Sequence, residues 1–208
     1  MPLIRKTPDP LSAAAPGLAA VASAFANGTP EERWAAARSV HDIPGSARIL
    51  GEALARERNS RVREAMFTSL ARISTAESVE LILPFLRSDE AHLRNGALDA
   101  LRAMKGAVLP YLPRLLGDGD ADVRLLACEL VRNVPDDEAA RLLCGLLEAE
   151  REPNVCASAV EVLAEIGGSE ALSVLARCEE RFSSSPFLVF SIKVAADRIR
   201  SQPLQPSV

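Results

Sequence analysis

A short pattern recurs six times along the chain: an aliphatic residue, then small or apolar residues four, eight and eleven positions later. The instances begin at Glu32 (a degenerate one), Val62, Leu93, Val123, Val155 and Leu188, and successive starts lie 30 to 33 residues apart. Four positions on stand Ala36, Met66, Ala97, Ala127, Ala159 and Ile192; eight on stand Val40, Leu70, Leu101, Val131, Leu163 and Ala196. Ile43, Ile73, Met104, Val134, Ile166 and Ile199 follow at eleven. Those offsets trace one stripe of a helix with 3.6 residues per turn. Breaks follow each stripe at Pro44-Gly45, Ser74-Thr75, Lys105-Gly106, Pro135-Asp136 and Gly167-Gly168. A second amphipathic helix is expected after each break, over 46–58, 76–87, 107–116, 136–150 and 169–182. A helical period near thirty means stacked helix pairs.

Start and stop signals refine this outline. Thr29-Pro30-Glu31-Glu32 offers a cap, a proline where no N–H partner is missed, and a glutamate placed to close a capping box. Pro84 and Pro113 fall inside second helices and are expected to kink them or remove a backbone bond. An alanine-rich helix is expected to open at Pro16 and stop at Asn27-Gly28, and a last helix to cover 186–200. The domain reading is a disordered tail over 1–10, a single solenoid over 11–200 and a disordered tail over 201–208.

Composition narrows the chemistry. Only 4% of the chain is aromatic, so its core must be built from Leu, Val, Ile and Ala. A net charge of −4 lacks the basic excess that a general phosphate-backbone surface needs, so nucleic acid is not the expected partner. No apolar run is dense enough for a signal peptide or a membrane span, so the expected location is cytoplasmic, with no membrane partner. Cys128, Cys144, Cys156 and Cys178 show no C-x-x-C spacing and are read as small buried hydrophobes. Cys156 and Cys178 are the candidate nucleophiles, but neither has a histidine nearby in sequence, and burial is the expected reading.

At Asp120-Ala121-Asp122-Val123-Arg124 the sequence resembles the short HEAT-like repeat of phycobilisome lyase-related proteins. Ser60-Arg61-Val62-Arg63-Glu64-Ala65 and Ala91-His92-Leu93-Arg94-Asn95-Gly96-Ala97 fit the same pattern, and the resemblance spans 29–200. It implies an all-α fold: a right-handed α-α superhelix, or HEAT-repeat solenoid, of about five helix pairs with flanking helices. The pattern departs at Cys156 and Val189, where arginine is expected. The recurrent arginines Arg33, Arg63, Arg94 and Arg124 are expected to be structural. They would fork onto turn carboxylates such as Asp89, Asp120 or Asp122, or onto a carbonyl of the adjacent repeat.

Catalytic constellations are lacking in the sequence. His41 and His92 stand alone, without the recurring His-Glu pairs of a di-iron hydroxylase built from such repeats. Trp34 and Tyr111 are the only Trp and Tyr, too few for a base-flipping glycosylase. No catalytic, cofactor or metal residues are therefore assigned. In solenoids of this kind the second helices line the concave side. There Glu80, Phe85, Arg87, Tyr111, Arg114 and Arg141 are the candidate partner-binding residues. Phe182, Phe187 and Phe190 form a cluster that either seals the last repeat or marks an end interface.

The expected function is a non-catalytic adaptor or scaffold binding a protein partner on its concave face, with bacterial signalling as one setting. Monomer or weak homodimer is the expected state. The alternative is a lyase-like or chaperone-like protein handling a bilin chromophore or a protein bearing one. An adaptor calls for a shallow open groove, a chromophore handler for a deep apolar pocket.

Overall fold

The computed structural model describes residues 17–201, and every regular element among them is helical. The tail over 1–10, the helix-opening Pro16 and residues 202–208 lie outside the described residues. Ser201, expected in the C-terminal tail, instead closes the last helix. The chain gathers into two compact units, one ending at Ile82 and one starting at Leu83.

The first unit holds α1 (Leu18–Asn27), α2 (Pro30–Ser39), α3 (Ser46–Leu54), α4 (Ser60–Ile73) and α5 (Ala76–Ile82). The capping box at the start of α2 forms as its residues predict. Thr29 N donates to Glu32 Oε2 at 2.7 Å, and Glu32 N to Thr29 Oγ1 at 3.3 Å. That explains the degenerate first instance of the stripe, because Glu32 caps its helix from the surface while Ala37 and Val40 carry the burial. Gly45 leads into α3 with φ +80°, a conformation that costs residues with a Cβ. Farther along α3, a Cβ on Gly51 would lie 2.5 Å from Leu81 Cδ2, so the missing side chain sets how closely α3 and α5 pack. Helix α4 is tied to α2 by Ser69 Oγ, which donates to the buried Ala37 carbonyl at 2.5 Å.

The second unit opens with a 3-10 turn, Leu83–Arg87, followed by α6 (Ala91–Ala103) and α7 (Lys105–Val108). A second 3-10 turn, Leu109–Tyr111, leads into α8 (Leu112–Leu116). Then come α9 (Ala121–Val131), α10 (Asp136–Ala149), α11 (Pro153–Ile166), α12 (Ala171–Arg181) and α13 (Pro186–Ser201). The second helices over 76–87 and 107–116, expected to be kinked or to lose a backbone bond at their prolines, are segmented. Pro84 falls in one 3-10 turn, Pro110 in the other, and Pro113 in the first turn of α8. Each proline lacks the N–H that an unbroken α-helix would use.

The repeat stripe is the core. Val62, Leu93, Val123, Val155 and Leu188 are all buried, as are the residues four and eight positions beyond them. A fifth position was not read from the sequence: Phe67, Leu98, Cys128 and Val160, five residues on, are buried as well. It widens the stripe so that one helix can face two neighbours.

The inter-repeat turns share one design. Asn59, Glu90, Asp120 and Glu152 are the N-caps of α4, α6, α9 and α11. Each N-cap N–H donates to the side chain two residues earlier: Glu57 at 2.8 Å, Ser88 at 3.2 Å, Asp118 at 3.0 Å and Glu150 at 2.9 Å. The ladder arginine four residues after the cap then reaches back over the turn. Arg63, Arg94 and Arg124 donate to the carbonyls of Glu57, Ser88 and Asp118 at 2.6, 2.7 and 2.8 Å. The arginines are structural, as expected, but the carboxylates differ from those expected. Arg33 forks onto Glu57 at 2.6 and 3.1 Å, and Arg124 onto Glu150 at 2.6 and 2.9 Å. Asp120 is occupied at its own helix start, accepting from Asp122 N at 2.9 Å, while Asp89 offers Arg94 only its carbonyl. Among the described residues, no helix is long and apolar enough to cross a membrane.

Candidate functional site

In α10 the buried face is Ala139, Ala140, Leu143 and Leu147. Leu142, Leu146 and Ala149 make a second apolar row, spaced four and three residues apart, that the core does not use. This row and α8 line a groove of about 590 Å³, open to solvent. Pro113 and Leu116 contribute from α8, and Gly145 leaves a gap in the α10 wall because nothing lies within 4 Å of where its Cβ would be.

Charged groups edge the groove in a definite way. Asp118 and Glu150 line it, and both carboxyls sit below the ordinary carboxylate range. Burial opposes this, but it is outweighed at Asp118 by the Asp120 N–H and Arg87. At Glu150 it is outweighed by Arg124 and the N–H groups of Glu152 and Arg151. The two acids are thus ionised and already paired, Asp118 with Arg87 and Glu150 with Arg124. The cations are less committed. Arg141 meets Glu138 at 3.4 Å across an exposed pair, and the exposed Arg151 side chain makes no ion pair among the described residues.

Of the residues proposed from sequence, Arg141 lines this groove, and Arg87 is joined to it through Asp118. Phe85 and Tyr111 are half-buried on the two 3-10 turns, and the Arg114 guanidinium lies 5.6 Å from the Tyr111 ring centre. Those three do not line the groove, and Glu80, exposed on α5, belongs to the other unit. Leu142, Gly145, Leu146 and Arg151 were missed. Their signal was the surplus apolar row on α10, together with a glycine inside a helix that no packing contact requires.

The aromatic cluster divides. Phe182 is half-buried, with the Arg181 guanidinium 5.2 Å from its ring centre. Phe187 and Phe190 are exposed at 68% and 67%, and Val194 at 49% continues their row along α13. Leu188 and Ile192 seal that helix instead.

Cys128, Cys156 and Cys178 are buried, Cys144 is half-buried, and all four are free thiols. Burial pushes the Cys128 thiol up to about 12, and the contact with Cys178 together with burial raises that of Cys156. Among the described residues, no cluster of His, Cys, Asp and Glu could hold a metal ion.

No curated protein matches the chain. Solved structures similar to it include an engineered protein, 19% identical, with 88% of this chain and 96% of that one covered at a TM-score of 0.42. Human deoxyhypusine hydroxylase is 16% identical, with 89% and 85% covered and a TM-score of 0.43. A designed armadillo repeat protein is 17% identical, with 86% and 98% covered and a TM-score of 0.42. The family model described as HEAT repeats matches residues 108–181, and over that stretch, from the end of α7 to the end of α12, the HEAT-like resemblance holds.

Proposed function

We propose that the protein is a non-catalytic, cytoplasmic interaction module that holds a segment of a protein partner in the groove between α8 and α10. The observation that carries this reading is the unused apolar row Leu142, Leu146 and Ala149, facing an open groove inside the stretch that matches HEAT repeats. Repeat folds of this kind generally serve as interaction scaffolds. The rim supports a partner segment that is apolar with acidic flanks, because the groove's own acids are neutralised while Arg141 and Arg151 remain available. A bilin handler would want a deep enclosed pocket, and this groove is open to solvent.

The test is site-specific crosslinking from position 145, with position 48 on α3 as a control. A partner trapped from 145 alone, and lost in Leu146→Glu and Arg141→Glu, supports the reading. Equal trapping from both positions, or retention in both variants, overturns it.

A further inference from the structure

The first unit carries a second cleft, of about 320 Å³, formed by its first-of-pair helices α2 and α4. Trp34 and Arg38 line it from α2, while Arg61, Glu64, Thr68 and Arg72 line it from α4. Spacings of four on α2, and of three, four and four on α4, put these residues on one face of each helix. The Arg38 and Arg61 guanidiniums lie 4.7 and 4.4 Å from the Trp34 ring centre.

These arginines differ from those that tie one helix or turn to another. Arg33, Arg87, Arg102, Arg124, Arg132 and Arg177 each meet a carboxylate from another helix or turn. Arg38, Arg61 and Arg72 are exposed and have no carboxylate partner among the described residues. Arg72 Nη1 lies 3.5 Å from His41 Nε2. Cation–π attraction to an indole holds a guanidinium in place without giving it a carboxylate or carbonyl acceptor, so N–H donors remain for one. Two arginines are therefore ordered in advance with their donors still available, which lowers the entropic cost of gripping an anion. The hydroxyls do not compete for the role, because Thr68 donates to the Glu64 carbonyl at 2.9 Å and Ser69 to that of Ala37.

We infer that this cleft binds a phosphate monoester, presented as a phosphorylated side chain of a protein partner. Three arginines against Glu64 leave two positive charges, which match a phosphate monoester of charge about −2 with three acceptor oxygens. A phosphodiester brings about one negative charge per unit, and the chain's overall charge of −4 opposes a long polyanion. A carboxylate brings one charge and two oxygens, too few for three guanidiniums. This site is independent of the α8–α10 groove, with which it shares no residue.

Trp34 is the only tryptophan, so its fluorescence reports directly on the cleft. The full chain is titrated with a phosphoserine peptide, its serine and glutamate counterparts, and a short single-stranded oligonucleotide. The expected result is a saturable change with the phosphopeptide alone, weakened by salt. Its Kd should rise about tenfold in Arg61→Gln and in Arg72→Gln and stay unchanged in Arg48→Gln. Arg72 is not one of the guanidiniums over the ring, so its effect cannot be a change in the probe itself. Calorimetry provides a second reading of each Kd, and melting curves confirm that each variant is folded. No saturable binding, equal binding of the glutamate peptide, tighter binding of the oligonucleotide, or an unchanged Kd in the Arg61 and Arg72 variants would overturn the proposal.

Discussion

Arg124 at the start of α9 and Glu150 at the end of α10 form a two-pronged ion pair, with the carboxylate 3% and the guanidinium 15% exposed. The same Glu150 oxygen that takes one prong also accepts the N–H groups of Arg151 and Glu152, at 2.8 and 2.9 Å. Removing this carboxylate leaves a nearly buried cation and two turn donors without their acceptor. Glu150→Ala should therefore lose about 3 kcal/mol of stability in urea unfolding. Glu148→Ala, which removes an exposed partner of Arg177, should lose less than about 1 kcal/mol. Equal losses would show that the buried pair has no special weight.

Acid should act through the same groups. Burial raises the carboxyls of Glu57 and Glu150, but their arginines and two backbone N–H groups each hold them below the usual 4.5. The folded value lies below the unfolded one, so the contribution is complete above the unfolded value. It drains away as pH falls through the folded value. The melting temperature should be level from about pH 7 to about pH 5.5 and decline below about pH 4.5. A Glu57→Gln, Glu150→Gln double variant, melted across this range, should show a lower plateau and a shallower acid limb.

Gly145 separates binding from stability. Its Cβ would enter open space, so Gly145→Ala should leave stability unchanged or raise it by up to about 1 kcal/mol. Gly51→Ala adds the same methyl group, but 2.5 Å from Leu81, and should destabilise by about 1–3 kcal/mol. Thermal melts of the two alanine variants would test the contrast, and a bulkier Gly145→Gln should keep the fold while obstructing the groove.

On α13, adjacent residues should behave oppositely. Leu188 is fully buried, and Leu188→Ala should cost about 2–5 kcal/mol. Phe187→Ser with Phe190→Ser removes more apolar surface from the sequence, yet should change stability by less than about 1 kcal/mol, since both rings face solvent. A large loss in denaturant melts of the double variant would mean that the rings seal the end of the repeat after all.

Sequence spacing made the helix pairs legible because one stripe position in every turn must be apolar. It also predicted the Thr29–Glu32 capping box and the disturbance at Pro84 and Pro113, whose causes lie within a few residues of one another. It did not identify Glu57 and Glu150 as the arginine partners. They stand 24 and 26 residues from Arg33 and Arg124, and only the folded helix pair brings them back. The groove was partly missed for a related reason. Phe85 and Tyr111 stand out as aromatics, whereas the wall is made of Leu142 and Leu146, which in sequence are indistinguishable from core residues. Trp34 stands out in the sequence only by its rarity, since the arginines around it come from two helices.

The Arg33–Glu57 and Arg124–Glu150 pairs each join the beginning of a helix pair to the turn that ends it. A chain clasped at both ends of one segment needs no distant contact to complete that clasp, which favours early local closure during folding. Such a segment also behaves as a cassette. It carries its own fastening, and can be copied or removed in evolution without taking its neighbours' fastenings with it.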